Sequence, residues 1–348
     1  MRAYRLDSFG GPRALRPVVT EEPAVRPGRV VVRARAIGIN HPDLLTTRGR
    51  LQGLPSLPAV PGREVAGIVA AASPDTGWLP GDAVCGYVEG GAYAELVDVP
   101  GDRVVPVPRG ADFGSAVALV INFQTAHFAL RVRGGLVAGE RVLVLGAAGG
   151  IGSAAVQIAR ASGARVVAGV ATAEQVPVAV SVGADDVVVL GERFSREVLA
   201  QAPDGVDLVV DPLGGSVTPE ALRCLAPEGR LLVLGFAAGS VPTIGTNRLL
   251  LNNTSLVGVA WNGPLRRPVD SMAATARELG AMVEAGTIRP HIGSRFRFEQ
   301  LPEALLALEA GSLSGKAVVE LPVPPDPGID PASRSETGTE KRHTHGTS

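Results

Sequence analysis

One stretch constrains the fold more than any other: Glu140 to Arg160, reading ERVLVLGAAGGIGSAAVQIAR. Val142 to Leu145 is a short apolar run of the kind that forms a fully buried parallel strand. Gly146, Gly149, Gly150 and Gly152 follow, and then a helical pattern with Ala155, Ile158 and Ala159 on one side. Strand, glycine turn and helix in this order predict a dinucleotide site. Without Cβ atoms the turn can press backbone N–H groups against a pyrophosphate, and the helix N-terminus adds partial positive charge. The uncharged span from Val142 to Ala159 would also suit a membrane helix. Its Gly, Ser and Gln residues, with no stop-transfer flank, argue against that.

Downstream the same alternation repeats. Arg165 to Ala171, Val187 to Leu190, Val206 to Asp211, Arg230 to Gly235 and Ser255 to Trp261 are short apolar runs separated by helical stretches. With Arg141 to Leu145 they make six strands, which predicts a doubly wound parallel sheet. Helices are expected over Asp112 to Arg131, Pro219 to Leu225, Asp270 to Glu284 and Gln300 to Ala310, and a closing strand over Lys316 to Leu321.

The first third reads differently. Arg29 to Ile39 (RVVVRARAIGI) alternates partly, as an antiparallel strand with one wet face would. Val65 to Ala71 and Ala92 to Val97 are further strand candidates. Pro and Gly clusters punctuate them, which suggests a small folded-over β domain. The tail from 323 to 348, rich in Pro, Ser, Thr, Gly and charge, is expected to be disordered.

A chain of 348 residues has room for two domains. Its net charge of −1 gives no bulk attraction to nucleic acid or anionic membrane. Two cysteines, Cys85 and Cys224, are too few for a disulfide framework. The N-terminus MRAYRLDSFG has no apolar core of a signal peptide, so a reducing cytoplasm is the expectation.

Several stretches together resemble one family: GINHPDLLTTRG (Gly38 to Gly49), PAVPGREVAGIV (Pro58 to Val69), GDAVCGY, GGAYAEL, NFQTAHFAL (Asn122 to Leu130), the glycine turn, VDLVVDPLGG, GRLLVLGF and SGKAVV (Ser314 to Val319). The chain is similar to the medium-chain dehydrogenases/reductases, and within them to the zinc-free quinone oxidoreductase (zeta-crystallin-like) branch. The resemblance implies an α/β protein with a GroES-like β-barrel catalytic domain over 1–117. A Rossmann cofactor domain would span 118–258, and 259–322 would return to the first domain. It also implies a homodimer joined through the last strand of the parallel sheet.

The resemblance implies which residues act. Asn40, Arg63 and Thr125 are the expected catalytic set. The cofactor would be held by Gly146, Ala148, Gly149, Gly150, Ile151, Gly152, Thr172, Arg193, Gly235, Phe236, Val259 and Lys316. Zinc-dependent members place Cys where this chain has Asn40 and His where it has Arg63. An amide is a poor zinc ligand and a guanidinium repels the ion; His41 and Glu64 remain nearby without a third ligand. No metal is therefore expected. Without a Lewis acid the acceptor must take hydride readily by itself, as a quinone or an α,β-unsaturated carbonyl does.

The cofactor reading is NADPH, with NADH as an alternative. The second strand ends in Ala171-Thr172 with no acid to meet a ribose 2′-hydroxyl, although Glu174 follows. Yet the family's usual 2′-phosphate anchors are replaced by Gln175, Leu190 and Gly311, and Arg193 is the nearest substitute. Two other readings stand beside quinone reduction. One is an enoyl-thioester reductase with Arg48, Arg50, Arg266 and Arg267 toward a distal phosphate. The other is a nicotinamide-binding protein without turnover.

Overall fold

In the computed structural model, which describes residues 1–263 and 272–322, the β-rich region begins with β1 (Arg2–Leu6) and β2 (Leu15–Val19), an antiparallel pair. The next five strands are β3 (Arg29–Ile39), β4 (Glu64–Ala72), β5 (Ala83–Tyr87), β6 (Leu96–Pro100) and β7 (Val104–Pro106). β3 is the axis of this region. One edge pairs with β4; the other pairs with β6 over Arg29–Arg33 and, over Ala36–Ile39, with a strand from the far end of the chain. The partial alternation seen in its sequence follows from this: Val30, Val32, Ala34 and Ile37 are buried while Arg33 is exposed. Ala92–Val97 is not a strand as expected. Ala92, Tyr93 and Ala94 are buried, but Tyr93 bonds Pro61 and Tyr4 rather than a ladder, and pairing resumes only at Leu96.

The parallel sheet comprises β8 (Arg141–Leu145), β9 (Arg165–Val170), β10 (Asp186–Val189), β11 (Val206–Asp211), β12 (Leu225–Val233) and β13 (Ser255–Gly258). Their order is β10-β9-β8-β11-β12-β13, so the chain reverses direction between β8 and β11, where such sheets bind dinucleotides. β12 starts earlier than its apolar run, at Leu225, and the register against β11 shifts near Val206. β13 ends at Gly258 rather than Trp261. The indole instead leaves the sheet to pack edge-on against Tyr87 of β5, with ring centroids 5.4 Å apart.

β14 (Ile292–Arg297) and β15 (Lys316–Glu320) return to the first sheet, giving the order β14-β15-β3-β4-β5-β7. The helix at Met272–Glu284 precedes them and that at Leu301–Glu309 lies between them. The long helical segment Phe113–Arg133 ties the two sheets together. Ala116, Val117 and Val120 pack with Ala36, Ala66 and Val318 of the first sheet, while Phe123, Ala126 and Leu130 pack with Val142 and Val144 of the second. By length and apolarity this segment could cross a membrane, but most of it is buried between the sheets. It runs through position 117, where the sequence reading divides the chain. The tail 323–348 and the arginines at 266 and 267 lie outside the described residues.

Candidate active site

The glycine turn has the geometry its sequence implies. Gly146 follows β8 at φ +62°, a left-handed conformation that glycine adopts freely. Gly149 donates its N–H to the Gly146 carbonyl at 2.9 Å, and the helix Gly150–Ala161 starts at once. A Cβ at Gly152 would stand 2.0 Å from the Gly146 oxygen, so only glycine lets the helix approach the strand this closely. Ala148 and Ile151 lie in the same turn, and the Ala148 carbonyl accepts from Gly315 N–H at 2.6 Å. The cradle fits a pyrophosphate: a Cβ-free backbone at a helix N-terminus.

The remaining cofactor candidates fall at the carboxyl ends of the parallel strands. Thr172 follows β9, Arg193 follows β10, Gly235 and Phe236 follow β12, and Val259 follows β13. Thr172 and Arg193 are exposed; Phe236 is 39% exposed. The Thr172 hydroxyl holds the Glu174 carboxyl below its usual range, so an ionised acid does stand at the end of β9. Gln175 Oε1 accepts from Ala171 N–H at 2.9 Å and thus closes this strand end.

Lys316 is placed elsewhere. It is the first residue of β15, only 3% exposed, and its ammonium bonds Glu64 Oε1, Asn40 Oδ1 at 2.7 Å and the Ile39 carbonyl at 3.3 Å. An ammonium has three donors, so none remains for a cofactor oxygen. Lys316, expected to grip the cofactor, is in this structure bonded to Asn40 and Glu64.

Asn40 Nδ2 in turn donates to Glu64 Oε1 at 2.7 Å. The strand registers explain the cluster. β3 is antiparallel to both β4 and β15, with Ile37 opposite Val65 and Ile39 opposite Ala317. The carboxyl end of β3 thus meets the first residues of both neighbours. Gly38 makes the space, since a Cβ there would lie 1.8 Å from Glu64 Oε1. Glu64 was legible only as a leftover of a zinc site. The signal that could have found it is a glycine inside a strand, which often marks a close approach.

Glu64 also reaches the helix that bears Thr125. Its Oε2 accepts from Ile121 N–H at 3.2 Å. Ile121 lies in a π-helical turn, Leu119–Phe123, where wider winding leaves an N–H without its usual partner. Thr125 follows one turn later and is 9% exposed. Asn122, in the same turn, packs against the start of the cofactor helix, its Nδ2 2.9 Å from where a Cβ on Gly150 would be. Glu64 thereby joins two of the three expected catalytic residues, directly to Asn40 and through Ile121 to the Thr125 helix.

Arg63 belongs to an adjoining network. Its side chain is 12% exposed, with NH1 3.2 Å from Glu89 Oε2 and Nε 4.0 Å from Asp43 Oδ1. Tyr87 donates to Glu89 at 3.0 Å and accepts from Asn262 Nδ2 at 3.2 Å, which brings in the segment after β13. Asp43 was not singled out from sequence. It is 1% exposed, accepts from Asn40 N–H at 3.0 Å, and burial pushes its carboxyl up to about 7 against the opposing pull of Arg63. His127, on the same helical segment as Thr125, pairs with Glu278 at 3.0 Å. Arg48 is committed to Glu309 by two bonds of 2.9 and 2.8 Å, which removes it as a free phosphate contact.

Comparison with known proteins now places this geometry. Residues 26–109 match the alcohol dehydrogenase GroES-like domain and residues 150–283 the zinc-binding dehydrogenase family. The chain is 33% identical over 320 residues to quinone oxidoreductase-like protein 2 of Bos taurus, covering 88% of this chain and 90% of the relative. This protein is a medium-chain dehydrogenase/reductase of the zinc-free quinone oxidoreductase branch. Among solved members, a probable oxidoreductase from Mycobacterium abscessus is 41% identical with a TM-score of 0.84, covering 92% of this chain and 98% of that one. A mycobacterial member complexed with NADPH is 30% identical with a TM-score of 0.83, covering 92% and 99%. The oxidoreductase fold is therefore GroES-like plus Rossmann, as the sequence reading held.

Zinc does not fit the residues present in this member. The Asn40 amide is a poor zinc ligand and is bonded to the Lys316 ammonium, while Arg63, paired with Glu89, is a cation that would repel the ion. Among the described residues no group of three or more His, Cys, Asp or Glu could hold a metal. A nicotinamide dinucleotide does fit, in the glycine cradle.

Proposed function

We propose that this oxidoreductase transfers hydride from NADPH to a quinone or another α,β-unsaturated carbonyl, without zinc. The carrying observation is the Asn40–Glu64–Lys316 cluster, in which an amide at an expected zinc-ligand position is held between a carboxylate and an ammonium. The bound dinucleotide supplies the hydride. The chain's own residues bind the pyrophosphate at Gly146–Gly152, bury the reacting face under Thr125 and Asn40, and exclude water. An acceptor of this class spreads negative charge onto oxygen, where a hydrogen-bond donor stabilises it, and the proton follows from solvent.

NADPH is favoured over NADH by the NADPH-bound relative and by Arg193 after β10. Glu174 at the end of β9 pulls the other way, since an acid there bonds a free 2′-hydroxyl. A panel of quinones, enones and enoyl thioesters, assayed with both cofactors and in EDTA, tests the reading. Many turnovers of bound NADPH on added quinone, unaffected by EDTA, are expected. Binding without turnover would leave only a nicotinamide-binding protein, and a preference for enoyl thioesters would replace the substrate class.

A further inference from the structure

We infer that Glu64 and Lys316 are positioning residues that hold the Asn40 amide in one orientation, with its last free N–H offered to the carbonyl oxygen of the acceptor. The inference rests on the hydride-transfer reading and adds the group that meets the developing charge. An amide in a protein can be turned either way, but here its partners decide. Lys316 Nζ can only donate, so it must face Oδ1; an ionised Glu64 can only accept, so it must face Nδ2. One Nδ2 hydrogen is then bonded to Glu64, and the other has no partner among the described residues.

The amide is also polarised. An ammonium on Oδ1 draws electron density from nitrogen, and chains of hydrogen bonds in a buried site strengthen one another. The remaining N–H is therefore a better donor than a free asparagine offers. Its place is tied to the cofactor: Gly315, next to Lys316, donates to the Ala148 carbonyl in the glycine turn, and Gly149 and Gly315 form a parallel bridge. The same strand that holds the amide thus holds the pyrophosphate cradle. Glu64 sets the third coordinate through Ile121 N–H and the Thr125 helix.

Removing one charge alone would strand the other in a buried site, so the decisive variant removes both, Glu64→Met with Lys316→Met, replacing them with apolar side chains of similar length. The double variant should melt near the wild-type temperature and bind NADPH within about threefold, while kcat for a quinone falls roughly 10- to 100-fold. Isotope-edited NMR of the free wild-type protein, with the Asn40 amide assigned by its loss in Asn40→Ala, should show two inequivalent, slowly exchanging amide protons. In the double variant they should move together and exchange fast. Wild-type kcat in a folded double variant would overturn the inference, and so would a rapidly exchanging Asn40 amide in the wild type. If the wild type reduces no quinone or enone, the functional reading fails, and the amide signals still decide the positioning.

Discussion

Gly315 donates its N–H to the Ala148 carbonyl at 2.6 Å, so the return strand of the GroES-like sheet is bonded to the pyrophosphate turn of the Rossmann sheet. Gly315 holds φ +63°, and a Cβ there would lie 2.4 Å from His291 Cδ2 and 2.6 Å from the His291 carbonyl. Gly315→Ala should cost about 1–3 kcal/mol of stability. NADPH affinity should fall with it, because the joint bears on the cradle. Chemical denaturation and a fluorescence titration of the same preparation check both; a loss of stability with unchanged affinity would separate the joint from the cradle.

The glycine turn should answer unequally to substitution. At Gly152 a side chain meets the Gly146 carbonyl at 2.0 Å, whereas at Gly149 the nearest contact is that same oxygen at 3.2 Å. Gly152→Val should abolish NADPH binding and disturb the packing of the helix on β8. Gly149→Val should weaken binding while leaving the fold closer to wild type. Circular dichroism and NADPH titration distinguish them, and equal behaviour of the two variants would contradict the geometry.

Asp43 sets a pH dependence with a definite sign. Its carboxyl, with an ordinary value of 3.8, titrates at about 7 in the folded protein. Between those values the folded chain carries a proton at Asp43 that the unfolded chain has lost. Stability from this group is therefore present at low pH and is lost as pH rises toward and through 7. Asp43→Asn keeps an acceptor for Asn40 N–H without the charge. It should match wild type near pH 4 and exceed it above pH 8 by up to roughly 4 kcal/mol. The difference between the two proteins across pH cancels the histidines. A flat difference would mean that Asp43 is ionised throughout.

Cofactor choice should turn on Glu174, whose ionised carboxyl stands by Thr172 at the end of β9. Glu174→Gln should raise the preference for NADPH over NADH, because it removes a negative charge that repels a 2′-phosphate and an acceptor for a free 2′-hydroxyl. Ratios of kcat/KM for the two cofactors measure it. An unchanged ratio would put the 2′-phosphate out of reach of this side chain.

Assembly should run through β13. It lies at one end of the parallel sheet, paired among the described residues with β12 alone, and Leu256 on it is 37% exposed, with Leu250 and Leu251 nearby in sequence at 78% and 77%. A free strand edge beside apolar side chains favours a second copy. Light scattering should give a dimer, and Leu256→Lys should shift it toward monomer. A wild-type monomer at micromolar concentration would end the proposal.

Sequence alone determined what rests on neighbours along the chain. The Gly146–Gly152 turn is legible because its strand, glycines and helix lie within one short stretch, and the six apolar runs carry the parallel sheet for the same reason. Strand ends were less legible where a distant side chain decided them, as when Trp261 leaves β13 for Tyr87. Asn40, Glu64 and Lys316 were each legible through the family resemblance, but the pairing that joins them was not. Glu64 and Lys316 are 252 positions apart, and neither carries a local pattern that names the other. They meet because β3 lies antiparallel between β4 and β15 in a particular register, and because Gly38 leaves room for a carboxylate to cross the strand. The register depends on the packing of whole sheets, so only the tertiary structure could show that Lys316 holds Asn40.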